Sequence, residues 1–583
     1  MANKELTSSC DPLDSIEEHF KLEAGPGSGK TTFIAKHVKR VLLESRRLHK
    51  TRKVACITYT NTGVKALQER LGDARHEVEV STIHSFLYKH VLKPYFWLLD
   101  EWPFRENYIP NLVRQRLNGR QIIDVLKNTG DAYLVFQNKI PLHDVVEAFE
   151  SIKWIRKEGE YKFEFYPNSN RRLGGGDTDE SKDLVGKEGW IKNESAEQYR
   201  EKCHEEEILL YEDVIYYSYI LLKEQPKLQE IIRAKFPYLF VDEFQDTTSL
   251  QTDILKLLGQ KEMIIGVIGD RAQSIYKFTG ANVEDFNNWN LPNMKRYYIT
   301  QNRRTHSAIV DVLNYFKVND NHFIQQPIRS NLADNRPLII SGTLQEAFHY
   351  CNKKWGKKIS VLGYNFEMTV ENYDPKIKTD FFKDFLLFLS GDNKRGRKIR
   401  GTLKAILAVE QLDYPLAIEE IKRIQKRDGH VSEVQTLKYI EKVRGTYKQY
   451  FYKPIIEYYS EVLHKQKLIK APALRKESVP AKKYTEISLK NALSSIRAEK
   501  RKYQNVQTIH SMKGDEADSV LVAIPENQTN FLIEPDLTKE FHRVYFVAAS
   551  RAKENLAFQV NPKYIETIKK HDDEKLFNII DSI

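Results

Sequence analysis

Residues 24–32 read Ala24-Gly25-Pro26-Gly27-Ser28-Gly29-Lys30-Thr31-Thr32. Glycines at alternate positions let a loop turn its backbone N–H groups onto an anion, and the helix that follows adds its positive end. A lysine and a hydroxyl after the last glycine are what such a loop needs next. Lys30 can reach the β- and γ-phosphates of a nucleotide, and Thr31 can ligate magnesium. The run Leu22-Glu23-Ala24 leads in as a strand, and a helix is predicted from Lys30. Strand, phosphate loop and helix in that order belong to an α/β unit with a parallel sheet. The strict pattern has glycine first, where this chain has Ala24.

Working outward, Val54 to Thr58 reads as a buried strand and Asn61 to Leu71 as a helix. Tyr238 to Val241 and Met263 to Ile268 are apolar runs ending in acid or glycine. Strands covered on both faces read this way. Asp242 and Glu243, placed at a strand end, suit magnesium coordination and water activation. Between these pieces, residues 88–201 are rich in tryptophan, tyrosine and charge, with helical spacing and a loop marked by Gly174-Gly175-Gly176. That stretch reads as an insertion and carries no legible motif.

A second α/β unit is predicted from Pro337 to Ser341, Ile359 to Leu362, Ser519 to Ile524 and Leu556 to Val560, closed by a helix near Tyr564 to Ile579. It is split by a helical, basic stretch containing Lys394-Arg395-Gly396-Arg397-Lys398-Ile399-Arg400 and the Pro/Lys-rich Ala471 to Lys483. The basic run fits a duplex-binding surface and a solvated helix face equally well. The predicted layout is therefore 1–87 with 202–300 as one α/β domain and 88–201 as its helical insertion. Residues 301–364 with 500–583 form the second domain, and 365–499 its helical basic insertion. No internal repeat is visible.

Composition sets the outer bounds. The 583 residues allow several domains. Lys and Arg number 91 against 80 acids, a net +11, which is compatible with a phosphate backbone as partner. No apolar run is long enough to span a membrane, and the first residues lack a signal-peptide core, so the cytoplasm is expected. Cys10, Cys56, Cys203 and Cys351 are too scattered for a metal pair or a disulfide framework.

The matches continue in order along the chain. Tyr238-Leu239-Phe240-Val241-Asp242-Glu243-Phe244-Gln245-Asp246 resembles the Walker B form of UvrD/Rep/PcrA-type helicases of superfamily 1. Thr58-Tyr59-Thr60-Asn61 and Thr82-Ile83-His84-Ser85 resemble that family's next two motifs. So do Gly269-Asp270-Arg271-Ala272-Gln273-Ser274-Ile275-Tyr276-Lys277-Phe278-Thr279-Gly280-Ala281 and Gln301-Asn302-Arg303-Arg304. The later motifs correspond to Thr508-Ile509-His510-Ser511-Met512-Lys513-Gly514-Asp515-Glu516 and to Arg543 through Ala552. Singly these are weak signals; in sequence they are specific.

The resemblance implies two RecA-like P-loop domains, each interrupted by a largely helical insertion. It implies ATP and Mg2+ as cofactors, bound by residues 24–32, with Thr31 and Asp242 on the metal and Glu516 on the ribose. Lys30, Glu243, Gln273, Arg304 and Arg551 become the catalytic set, the two arginines reaching across a cleft to the transferring phosphoryl group. Tyr59 and Phe278 become base-stacking platforms, with Thr60, Asn61, His84 and His510 near the strand backbone. Three departures stand out. No glutamine precedes the phosphate loop to read adenine, Thr279 replaces an arginine, and Arg303 replaces a tyrosine.

The expected activity is ATP-driven movement along single-stranded DNA and at ss/ds junctions, 3′-to-5′ by family resemblance. A second reading is an ATP-dependent regulatory subunit that acts with a separate nuclease, as in anti-phage systems of the Gabija type; a third is an RNA motor. The residues after Arg551 leave little chain for a nuclease fold, so cleavage is expected only from a separate partner protein.

Overall fold

The structure is a computed structural model. It describes residues 4–49, 51–106, 108–110, 117, 119–136, 142–166, 172–173, 182–183, 185, 191–317, 324–330, 335–356, 358–365, 369, 372, 385, 388–389, 392, 395–410, 413–426, 433–468, 472–475, 478–500, 505–572 and 575–581. The predicted glycine loop at Gly174–Gly176 and Lys394 of the basic run lie outside the described residues.

Two parallel sheets organise the chain. The first has seven strands, in the order Lys4–Leu6, Lys295–Ile299, Phe20–Ala24, Ile264–Gly269, Tyr238–Val241, Val54–Thr58 and Val78–Thr82. The second has six, in the order Val506–Thr508, Ile359–Gly363, Ala517–Ala523, Ala552–Val560, Leu338–Ser341 and Asn578–Ile580. Successive side chains of a strand alternate between faces, and the cores record this. Val54, Cys56, Tyr238 and Phe240 pack with Phe33, Val38, Val41 and Leu67 of the helices Lys30–Glu44 and Asn61–Leu71. Ala55, Ile57, Leu239 and Val241 face the opposite core, with Leu221 and Leu222 of helix Tyr211–Glu224 and Ile254 and Leu255 of helix Ser249–Gly259. Helices cover both faces, so the central strands Val54–Thr58, Tyr238–Val241 and Ile264–Gly269 are buried throughout, the arrangement all-parallel sheets require. The second sheet repeats it, with Ile339, Leu362, Val520 and Val522 on one side and Ile340, Val361 and Leu521 on the other.

Three features differ from the predicted layout. The chain from Tyr88 to Trp102 packs on the core of the first unit, while the separate core of the insertion runs from Leu117 to Ile208. That insertion is also more than helical. Ile152–Lys157 and Glu160–Phe165 form an antiparallel hairpin, closed by Glu158 and Gly159, both with positive φ (52° and 90°). Such a two-residue turn matches the twist of the flanking strands. Ile152 opposite Phe165 and Trp154 opposite Phe163 supply its apolar face. At the chain's end, helix Ile565–His571 is followed by strand Asn578–Ile580, which pairs with Leu338–Ser341 where a continuous helix was expected. The described elements between 365 and 499 are helices around their own core. Among the described residues no helix is long and apolar enough to cross a membrane, and all four cysteines are free.

Candidate functional site

Parallel strands in register bring their C-terminal ends to one edge, where loops collect. In the first sheet Gly269 pairs with Glu23, Ile57 with Val241 and Thr58 with Thr82. The phosphate loop, Asp242-Glu243 and Thr58-Tyr59-Thr60 therefore emerge side by side. Gly27 and Gly29 sit at φ 72° and 87°, where a side chain is strained. At Gly27 a Cβ would also stand 2.8 Å from Arg304 Cβ. The Phe33 N–H donates to Gly29 O at 2.9 Å and opens the helix. Ser28 Oγ donates to Gly25 O at 2.7 Å and Lys30 Nζ to Ala24 O at 3.2 Å. Both bonds hold the loop in shape.

A cleft of about 260 Å³ lies over the loop, lined by Gly25, Pro26, Gly27, Gly29, Lys30, Thr31 and Thr32, by Asp242, Glu243 and Gln273, and by Arg304, Glu516 and Arg551 of the second unit. It gathers the predicted nucleotide residues except Ala24 and Ser28, which shape the loop from behind. Glu243 is a non-glycine residue at φ 52°, a strained conformation of the kind held at functional sites. Its N–H donates to Asp242 Oδ1 at 2.9 Å, and Gln245 Nε2 donates to its carboxylate at 2.5 Å. Burial and the adjacent Glu243 charge push the Asp242 carboxyl up. Burial works against Glu243 as well, but Lys30 and Lys513 outweigh it and hold that carboxyl low. The pair is thus split into one reluctant and one ready carboxylate.

Gln273 Nε2 donates to Asp270 Oδ2 at 2.6 Å, and its Oε1 accepts from Arg551 Nη2 at 2.9 Å. Arg551 is buried; burial and the neighbouring Arg304 charge lower its pKa to about 9. Arg304 Nε pairs with Glu516 Oε2 at 2.8 Å, and Lys553 Nζ meets the other carboxylate oxygen at 2.5 Å. Glu516, expected on a ribose, is here the counter-ion of two cations.

The sequence reading passed over Lys513. It pairs with Asp246 and donates to Gln273 O at 2.6 Å, and its ammonium lies 4.8 Å from the Tyr276 ring centroid. It belongs to the second unit, yet its partners all belong to the first. Its place beside Gly514 in a quoted motif was the available signal.

A second cavity, about 680 Å³, adjoins the cleft and is lined by Tyr59, Thr60, Asn61, His84, Thr248 and Thr279 among others. Tyr59 and Thr60 line both cavities. Tyr59 stacks on Tyr276, ring centroids 4.8 Å apart, and its hydroxyl shares a 3.2 Å hydrogen bond with Thr279 Oγ1. Thr60 Oγ1 accepts from Gly63 N at 3.0 Å and caps helix Asn61–Leu71. Burial keeps the His84 imidazole below its usual pKa, and Tyr211 meets it edge-on at 5.3 Å. His510 sits apart from this cavity, between Tyr276 and Tyr364 at 6.0 and 5.7 Å, and burial lowers its pKa to about 4. Phe278 lies in the short turn Lys277–Thr279; its side chain is outside the described residues.

Arg303 Nη2, at the position of the family's tyrosine, donates to Ser8 Oγ at 2.8 Å beside the phosphate loop, whose Gly27 O accepts the Arg303 N–H at 2.9 Å.

The chain is similar to known helicases. The family model for the UvrD/REP helicase N-terminal domain matches residues 7–291. The chain is 34% identical over 138 residues to the ATP-dependent DNA helicase Rep of Buchnera aphidicola, covering 23% of this chain and 21% of that one. It is 23% identical over 380 residues to a probable DNA helicase II homolog of Mycoplasma capricolum (62% and 46%). With the ATP-dependent DNA helicase PcrA of Staphylococcus aureus the identity is 24% over 320 residues (54% and 40%). Each match spans less than half the length of the relative.

Proposed function

We propose, from its kinship with UvrD-type superfamily 1 helicases, that this chain couples ATP hydrolysis to movement along single-stranded DNA, with 3′-to-5′ polarity. The observation that carries the proposal is the shared wall between the two cavities. Tyr59 and Thr60 touch both, and Tyr276 stacks directly behind Tyr59. A change of state on the phosphates therefore has a packed route to the strand.

The chemistry follows from the residues of the cleft. Lys30 leaves its carbonyl partner for the β- and γ-phosphates, and the loop N–H groups take the remaining oxygens. Thr31 and Asp242 offer a hydroxyl and a carboxylate, hard oxygen donors that suit Mg2+. Bound there, the ion would neutralise phosphate charge. Glu243, kept ionised by Lys30 and Lys513, takes the proton of the attacking water. Arg304 and Arg551 stabilise charge on the transferring group. Both arise from the second unit, so the site is complete only when the cleft is closed. Gln273 is bonded to Arg551 and registers the γ-phosphate from the first unit. Closing and opening of the cleft then ratchets the strand past Tyr59.

The test is ATP turnover with and without single-stranded oligonucleotides. It is followed by dye release from 5′- and 3′-labelled strands and by displacement of a duplex with a 3′ tail. Strand-stimulated turnover with release at the 5′ end is expected. Turnover indifferent to strands overturns the proposal. Stimulation without displacement would make the chain a translocase or a regulatory subunit that needs a partner, such as a separate nuclease, to act on duplex.

A further inference from the structure

The groove beside Tyr59 continues beyond its own cavity. That cavity and a second one of about 440 Å³ share Lys153, Glu212, Ile215 and Thr248. The second runs beneath the hairpin toward Arg156, Lys277 and Arg543. At the neck, Lys153 of the hairpin meets Glu212 Oε1 at 2.5 Å, with side chains 17% and 20% exposed. Glu212 stands in the first turn of helix Tyr211–Glu224. The Lys153 stem lies against Gly280, where a Cβ would be 3.7 Å from Lys153 Cγ. Among the described residues lining the larger cavity, Lys153 is the one lysine or arginine. The larger cavity thus presents one lysine to a polyanion, and a carboxylate occupies it.

We infer that Lys153 is a phosphate contact of the single strand, held by Glu212 while the groove is empty, and that strand entry exchanges that carboxylate for a backbone phosphate. The inference rests on the groove being the strand site proposed above. The exchange conserves the lysine's charge-assisted hydrogen bond, because a phosphate oxygen replaces a carboxylate oxygen. A partly exposed ion pair is weak enough to give up. The released Glu212 stays at a helix N-terminus, where the dipole favours a negative charge. Glu150 also lines the cavity, but the carboxylate paired with Lys153 is that of Glu212. The pair thereby offers a phosphate one position and keeps Lys153 neutralised between strands.

The test measures binding of a fluorescent oligothymidylate to the full chain across a salt series. Glu212→Gln should tighten binding about fivefold, the equivalent of one partly exposed ion pair no longer competing. Lys153→Met should make the slope of log affinity against log salt shallower by about 0.7, one single-strand phosphate contact. Lys153→Arg should restore the slope. The double variant Glu212→Gln with Lys153→Met should bind no more tightly than Lys153→Met alone. Thermal unfolding of each variant separates misfolding from lost contact, and the near-isosteric Glu212→Gln carries the test if Lys153→Met fails to fold. Wild-type protein that binds the strand while Glu212→Gln is unchanged overturns the exchange and leaves the groove reading intact. Wild-type protein that binds no strand overturns both.

Discussion

Replacing Lys513 with methionine removes the cation of a buried ion pair that joins the two α/β units. The Lys513 and Asp246 side chains are 5% and 0% exposed. Burial pushes the Asp246 carboxyl up to about 7, with the Lys513 charge opposing that rise. Without the lysine, the carboxyl stays protonated at neutral pH whenever the cleft is closed. Removing one partner of a buried ion pair costs ~3–5 kcal/mol, because the remaining group is left uncompensated. Opening the cleft rehydrates Asp246, so the cost falls on the closed form alone. The closed-to-open ratio should drop by about two to three orders of magnitude, at roughly 1.4 kcal/mol per tenfold. The pH dependence has a definite sign. A carboxyl whose closed-state pKa is raised binds the proton more tightly when closed, so closure is fully favoured below the solvated value and weakens as pH rises through the closed-state one. In the variant that upper limit moves above neutrality. Fluorescence energy transfer between probes on the two units, with a non-hydrolysable ATP analogue, reads closure directly. Closure should be weak at neutral pH and recover on acidification. Adding Asp246→Asn should recover much of it, because an unpaired buried amide costs only about 1–3 kcal/mol. A Lys513→Met protein that closes as readily as wild type, or gains nothing from Asp246→Asn, refutes the reasoning.

Other variants address the engine and its coupling. Lys30→Ala should abolish ATP turnover and leave the fold intact, although Glu243 loses one of the two lysines that hold its carboxyl low; turnover near wild type would remove Lys30 from the phosphate site. Glu243→Gln should retain nucleotide binding by equilibrium titration and lose turnover by at least about a hundredfold. Tyr59→Ala should weaken oligonucleotide binding by about 1–3 kcal/mol, with strand-free turnover little changed; normal binding would make the ring a packing residue for Tyr276. ATP and GTP should turn over within about tenfold of each other, because no glutamine precedes the phosphate loop to read adenine and a site without base-specific hydrogen bonds discriminates poorly; a strong ATP preference would point to a base-reading residue elsewhere, with Ser8 and Arg303 the first to mutate.

Local chemistry made much of this protein legible in its sequence. A phosphate loop needs its glycines and lysine within a few residues of each other, and a buried parallel strand shows itself as an apolar run. The strands at Val54–Thr58 and Tyr238–Val241 and the helices from Lys30 and Asn61 accordingly appear where the pattern put them. The hairpin Ile152–Phe165 was hidden because its alternation is short and one strand carries as much charge as apolar surface. The tetrapeptide Thr-Ile-His-Ser occurs at 82–85 and again at 508–511, too short to read as an internal repeat. Only the structure gives it meaning. In both copies the threonine ends an edge strand and caps a short helix, accepting from Ser85 N at 3.4 Å and Ser511 N at 3.1 Å. Tertiary structure alone decided the partners across units. Lys513 finds Asp246, Arg551 finds Gln273, and Lys153 finds Glu212, over separations of 267, 278 and 59 residues. Pairings at that distance leave no periodic trace, because they are set by how two sheets and a hairpin dock rather than by the propensity of any segment.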